Sequence, residues 1–194
     1  MSTESAVRSA LRSQLLSNVD SAKGIVDEFW VPRSHERADL VAVGSSFDGF
    51  EIKTERDTLQ RLPRQASAYG RLFDHCTLVV AANHLNDAEG IIPKWWGITV
   101  IRSGETPDFE LYRSAQANPA IDPEILVRLL WRNDAAQALT NLGFVPDPQA
   151  SRGALWKELL ERVSLTNLRS TVRLAILNRD PSLARIPTRR FAAK

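Results

Sequence analysis

Apolar residues recur at helical spacing near the start of the chain. Val7, Leu11, Leu15 and Val19 fall four apart, and Ile25, Val26 and Phe29 continue the apolar character. That period predicts helix from Met1 to about Asp27, divided at Gly24 and left at Pro32. The period then changes to two. Residues 38–43 (ADLVAV) read as a strand, Gly44-Ser45-Ser46 as a turn and 47–53 as a second strand, together a β-hairpin or meander. Alternation puts Phe50 and Ile52 on one face of the second strand and Glu51 and Lys53 on the other.

A helix is expected to start near Asp57, with Gln60 completing a capping box and Leu59, Leu62, Ala66 and Tyr69 forming its stripe. Pro63 inside that stripe predicts a kink. The unbroken apolar run 77–82 suits a strand buried on both faces. Residues 95–101 read as another strand and 109–112 as a short edge strand. After Asn118-Pro119 the pattern turns helical. Asp122 is an N-cap followed by Pro123, Leu126, Leu129, Leu130 and Leu139 supply the apolar face, and Gly143 is a C-terminal stop. Helices over 153–163 and 166–179 follow the linker Pro146-Asp147-Pro148. The expected fold class is therefore α/β or α+β, with a core over 1–118 and a helical region over 119–194 packed on it or tethered to it.

Composition narrows the setting. A chain of 194 residues buries a sizeable core, and it has no apolar run of the roughly 20 residues a membrane span needs. The first residues mix Ser, Arg and Leu without the apolar stretch of a signal peptide. Cys76 is the single cysteine, which fits a reducing, cytoplasmic setting and a buried, inert thiol. A net charge of +2 does not by itself predict nucleic-acid binding. The cations are nevertheless mostly arginine, and arginine binds phosphate through two parallel N–H donors. From Arg162 onward, Arg169, Arg173, Arg179, Arg185, Arg189, Arg190 and Lys194 face a single acid, Asp180. This reads either as a footprint for a polyanion or as a solvated helix face. His35, His75 and His84 lack zinc spacing, and Trp95-Trp96 suits core or lid packing better than base stacking.

The chemistry-bearing pattern is on the hairpin. Asp39 sits in an apolar strand, and Glu51 and Lys53 share one face of the next. If Asp39 lies beside Glu51, two carboxylates converge as hard oxygen ligands for Mg²⁺ or Mn²⁺, with the backbone carbonyl of Ile52 as a third donor. Lys53 would stabilise charge building on a phosphate and help to position water. The alternative is a salt bridge on a solvated sheet face. Arg37, two residues before Asp39, would pair with a carboxylate or meet phosphate. Asp57 suits a helix cap better than a ligand.

Asp39 and Glu51-Ile52-Lys53 resemble the signature of the PD-(D/E)XK superfamily of restriction-endonuclease-like nucleases, with Ala38 in place of the proline. Stretches at 31–43, 50–63, 73–75, 93–97 and 129–132 resemble a small family of bacterial and phage proteins with the same signature. The resemblance implies a mixed central sheet flanked by helices and a metal-dependent nuclease acting on nucleic acid, with DNA expected. It implies that Glu28 is an acidic site residue on the first core helix and a further metal ligand, with Asp27 as its competitor. Gln65 and Tyr69 match a Gln/Tyr pair that contacts the metal site or a substrate phosphate; otherwise they are a surface amide and a core aromatic. The alternative function is a non-catalytic module that binds nucleic acid or protein, as a regulator or defence component. In either case Arg169 and Arg173 are the candidate contacts on a helix–turn–helix-like pair, unless that pair simply packs on the core. A second copy or a protein partner remains open.

Overall fold

The helical period at the start of the chain produces α1, Glu4–Ser17, with Val7 and Leu11 buried. The computed structural model describes residues 3–17, 22–102, 104 and 107–179. Val19 and the basic positions Arg185, Arg189, Arg190 and Lys194 lie outside the described residues. Helix was expected up to Asp27; instead Ala22–Trp30 forms a strand, β1. The reason is tertiary. Ile25 and Val26 are β-branched, Phe29 and Trp30 are aromatic, and all four pair with or flank the next strand, so ladder partners outweigh the local period.

The hairpin forms as expected from β2 (Arg37–Gly44) and β3 (Phe47–Lys53), antiparallel, with Leu40 opposite Phe50 and Val43 opposite Phe47. A helix, α2 (Leu62–Tyr69), then carries the chain to β4 (His75–Ala81), which lies parallel to β3. Asp57 does not cap this helix; its carboxylate accepts the Thr54 amide at 2.7 Å and the Thr54 hydroxyl at 2.6 Å. Nor does Pro63 kink it, because the helix begins around the proline, where a missing N–H costs nothing. Next come α3 (Leu85–Ile91), which the sequence pattern did not reveal, β5 (Gly97–Arg102) parallel to β4, and β6 (Asp108–Arg113) antiparallel at the edge. The sheet order is β1-β2-β3-β4-β5-β6. The result is a mixed six-stranded sheet flanked by helices, the fold class expected from the sequence.

One sheet face packs on α1 through Val7, Leu11, Leu40, Ile52, Val79 and Ile101. The other carries a chain of rings: Phe29 on Phe47 at 5.5 Å, Phe47 on Phe73 at 5.0 Å, Phe73 on Tyr69 at 5.5 Å and Tyr69 stacked on Trp96 at 5.9 Å. β1 serves both faces because alternation fails at Glu28, whose φ is +53°. Asp27 meets Arg12 of α1, whereas Phe29, two residues on, joins the ring cluster.

The chain folds as two compact units, Met1–Ile121 and Asp122–Lys194. In the second, Asp122 caps α4 (Pro123–Leu126) by accepting the Glu124 amide at 2.9 Å. The single helix expected up to Gly143 is broken. A short 3₁₀ turn, Val127–Leu129, leads to extended backbone at Leu130 and Trp131 before α5 (Arg132–Asn141) begins. Long-range partners satisfy the freed groups. The Trp156 indole N–H donates to the Leu130 carbonyl at 3.0 Å, and Arg179 bonds the Leu129 carbonyl while lying over the Trp131 ring at 4.6 Å. Gly143 ends α5 with φ +86°, the stop expected. Then α6 (Arg152–Arg162) and α7 (Leu165–Leu177) follow, with Ser164 capping α7. Among the described residues no helix is long and apolar enough to cross a membrane.

The ring cluster makes a sharp packing prediction. A Cβ added at Gly49 would lie 2.5 Å from the Phe73 ring. Gly49→Ala is therefore expected to destabilise the first unit by about 1–3 kcal/mol, read as a lower urea midpoint. An unchanged midpoint would show that the Phe73 ring yields freely.

Candidate active site

The hairpin places Glu51 and Lys53 on the ring-bearing face of β3, and both are nearly inaccessible, at 2% and 8% exposure. A carboxylate so placed has lost its water and needs protein donors in exchange. Glu51 has three. Lys53 Nζ bonds its Oε1 in a short contact, Gln65 Nε2 donates to the same oxygen at 2.5 Å, and the Tyr69 hydroxyl lies 2.6 Å from Oε2. Gln65 and Tyr69 are one turn apart on the buried side of α2, so a single helix face delivers both. The Tyr69 hydroxyl also lies 2.7 Å from the Arg37 carbonyl, and its one proton serves one acceptor at a time. Burial, and then the charge of Glu51, push the Tyr69 pKa far up, so this group holds its proton. Trp96, fully buried, stacks on Tyr69 and fixes its ring, the core packing expected of it, whereas its neighbour Trp95 is only half-buried.

Asp39 meets this group from β2. The last registered pair of the hairpin is Leu40 with Phe50, and beyond it the Asp39 carboxylate accepts the Ile52 amide at 2.7 Å. A side chain thus takes the place of a ladder carbonyl and ties Asp39 to the Glu51-Ile52-Lys53 segment. Burial raises the Asp39 pKa to about 7, with Glu51 adding to the rise and the Ile52 amide, Lys53 and Arg8 opposing it. Two carboxylates that disfavour each other's charge form a site that gains from a cation. Among the described residues no three His, Cys, Asp or Glu side chains gather into a metal cluster. The donor set still fits a hard ion. Asp39 and Glu51 keep lone pairs beyond those taken by Ile52, Arg8, Lys53, Gln65 and Tyr69, and together with the Ile52 main-chain carbonyl they would hold Mg²⁺, its remaining ligands being water. The Gln65 Oε1, buried without a partner, is a further acceptor at the site.

Other expected residues are placed as follows. Glu28 lies on β1, not on a helix, and its carboxylate is held by Arg8 at 3.2 Å and Arg37 at 3.1 Å. Its competitor Asp27 is bound to Arg12 at 2.6 Å. Arg37 both pairs with Glu28 and lies over the Trp30 ring at 5.7 Å. Arg169 and Arg173 are half-buried on α7, and Arg173 donates to Ser170 at 3.2 Å. Cys76 is buried, with its thiol pKa pushed up by burial and then by Asp48 and Asp74, as an inert thiol requires.

Two groups near the site escaped the sequence pattern. Arg8, from α1, reaches Asp39 at 3.3 Å. Glu36, buried at 6% exposure, holds Arg61 at 3.0 Å and Arg64 at 3.6 Å on the N-terminal end of α2. The helical period flagged α1 but said nothing of where it would pack. Glu36 directly precedes the hairpin and carried no signal of burial.

Residues 2–186 match the family described as bacteriophage P4 protein cII, and the chain belongs to that family. Among individual proteins it is similar to "Protein cII" of Enterobacteria phage P4, at 24% identity over 156 residues, which is 80% of this chain and 59% of that protein. The expected kinship with phage proteins is met at that level. The chain spans less than two thirds of the relative's length.

The Asp39 environment gives a pH signature. In metal-free protein the folded chain keeps the Asp39 proton up to about pH 7, whereas an unfolded Asp loses it near pH 4. Between those values the folded state binds the extra proton, so this group's contribution to stability falls as pH rises, by at most about 1.4 kcal/mol per unit. Urea titrations in EDTA from pH 4 to 8 should show Asp39→Asn gaining stability relative to wild type as pH rises. A pH-independent difference would contradict the assigned environment.

Proposed function

We propose that the chain is a Mg²⁺- or Mn²⁺-dependent nuclease of the PD-(D/E)XK type, hydrolysing phosphodiester bonds of nucleic acid, with DNA as the assigned substrate. The observation that carries this reading is the buried Glu51 carboxylate, bound by Lys53, Gln65 and Tyr69 beside an Asp39 whose pKa is raised to about 7. Such a group is costly to bury, and a carboxylate with a raised pKa beside a buried carboxylate–lysine pair is a mark of a reaction centre.

When bound, the divalent ion would polarise the phosphate and lower the pKa of a water molecule. The chain's own residues supply the rest. Asp39, Glu51 and the Ile52 carbonyl would hold the ion. Lys53, 8% exposed and anchored on Glu51, presents a fixed ammonium for charge that builds on the phosphate oxygens. Gln65 and Tyr69 fix the Glu51 rotamer, so that the carboxylate does not reorganise during the reaction. Both are positioning residues in this account.

A second reading stands beside the first: a non-catalytic binder of nucleic acid or protein on the same fold, serving as a regulator or defence component. Membership of the bacteriophage P4 protein cII family supports this reading. The composition of the second unit supports it as well. From Asp122 onward twelve Lys and Arg face seven Asp and Glu. The site geometry favours the first reading, because a binder has no need of the buried Glu51 group.

Incubation with single- and double-stranded DNA and RNA separates the two. The nuclease reading expects cleavage that requires Mg²⁺ or Mn²⁺ and drops by about 10²–10³-fold in Lys53→Ala and Asp39→Ala, with folding checked by circular dichroism. All four substrates left intact with either metal would count against it. The binder reading expects binding that survives in Lys53→Ala and weakens steeply with salt.

A further inference from the structure

Glu28 and Arg8 form an arrangement that the reaction scheme above does not use. Oε1 of Glu28 lies 3.2 Å from Arg8 Nη1, and Oε2 lies 3.1 Å from Arg37 Nη1. One carboxylate therefore holds two guanidinium groups, one from α1 and one from β2. Arg8 also contacts Asp39 at 3.3 Å, which brings the assembly to the reaction centre. A third carboxylate, Glu4 one helical turn back, steadies Arg8 from its own helix.

The backbone shows why Glu28 faces this way. Its φ of +53° is a conformation that a residue with a Cβ seldom adopts, and it lies where β1 changes the face it presents. The strain directs the Glu28 side chain to the two arginines while Phe29 enters the ring cluster.

Glu28 carries two cations, where Asp39 carries Arg8 and Glu51 carries Lys53, so of the three carboxylates it is the poorest ligand for a divalent ion. The two cations compete for its lone pairs and repel the metal. The arginines themselves suit another partner. Arg8 Nε is buried with no hydrogen-bond partner, so the surrounding carboxylates do not fully satisfy this guanidinium. The side chains of Arg8 and Arg37 remain 22% and 40% exposed, within reach of a ligand from solvent. Planar guanidinium groups that reach solvent match phosphate oxygens.

We propose that Arg8 and Arg37, held side by side by Glu28, clamp a backbone phosphate of the nucleic-acid strand bound at Asp39, and that Glu28 is a positioning residue rather than a metal ligand. The class of ligand rests on the nuclease reading of the same site. The clamp makes α1 one wall of the strand's path, with Arg37 at the start of β2 opposite.

The test uses the full chain and two readouts besides cleavage. One is the anisotropy of a fluorescein-labelled DNA oligonucleotide across a salt series with Ca²⁺ present, its integrity checked on a gel. The other is Mn²⁺ affinity by electron paramagnetic resonance. Arg8→Gln and Arg37→Gln are each expected to weaken DNA binding about 3- to 10-fold and to lower the salt slope by about one. Arg8→Lys, which keeps the charge and the α1 packing, should fall between wild type and Arg8→Gln. Glu28→Gln removes a negative charge, which simple electrostatics would turn into tighter DNA binding; the clamp predicts weaker binding. Mn²⁺ affinity should stay within about threefold in Glu28→Gln and fall more than about tenfold in Asp39→Asn.

Wild-type DNA affinity in both arginine variants would overturn the clamp. So would tighter DNA binding by Glu28→Gln, or loss of its Mn²⁺ binding to the extent seen in Asp39→Asn. A wild-type chain that neither binds Mn²⁺ nor cuts DNA would sink the nuclease reading instead. The clamp would then stand or fall on the DNA affinities alone.

Discussion

Glu51 carries its carboxylate into the first unit at 2% exposure, and much of the surrounding structure serves to make that tolerable. A buried carboxylate without donors costs several kcal/mol, and removal of one partner from such a pair typically costs about 3–5 kcal/mol. Lys53, Gln65 and Tyr69 supply the compensation, and each must be held in place in turn. Lys53 is held by being two residues along the same strand, Gln65 and Tyr69 by sharing one helix face, and the Tyr69 ring by Trp96 and Phe73. The aromatic layer is thus the rear wall of the site as well as part of the core.

Topology delivers these residues. The β2–β3 hairpin sets Asp39 beside the Glu51 segment, and the parallel step from β3 to β4 requires a crossover, which α2 provides. That crossover lays Gln65 and Tyr69 over the β3 residues they contact. Asp39 completes the join by accepting the Ile52 amide where the hairpin ladder ends. From the opposite face α1 packs Val7 and Leu11 on Leu40 and Ile52, which brings Arg8 within reach of Asp39 and Glu28. Both sheet faces therefore converge on one pair of carboxylates.

The sequence made the hairpin, α6, α7 and the trio Asp39, Glu51 and Lys53 legible, because period-two and period-3.6 patterns are local and strand alternation fixes which side chains share a face. Other features were illegible for physical reasons. The strand at 22–30 is stabilised by pairing with β2, a contact that no local period reports, so helix was expected in its place. The break between α4 and α5 depends on Trp156 and Arg179, which are 26 and 50 residues from the carbonyls they satisfy. Arg8 looked like any helix surface residue, since its partners Glu28 and Asp39 are 20 and 31 residues away. Resemblance to a nuclease signature singled out Glu28 and Gln65-x-x-x-Tyr69, and the structure brings Gln65 and Tyr69 onto Glu51 while it gives Glu28 to two arginines.

We propose that Asp39 and Glu51 are paired to hold a divalent cation beside Lys53. Crystals of the chain soaked in Mn²⁺, with diffraction collected on both sides of the manganese absorption edge, test it most directly. The expected result is an anomalous peak between the Asp39 and Glu51 carboxylates and the Ile52 carbonyl, with Arg8 displaced from Asp39 by the ion. An occupied manganese site elsewhere, with Asp39 still bound to Arg8 and no peak between the two carboxylates, would contradict it.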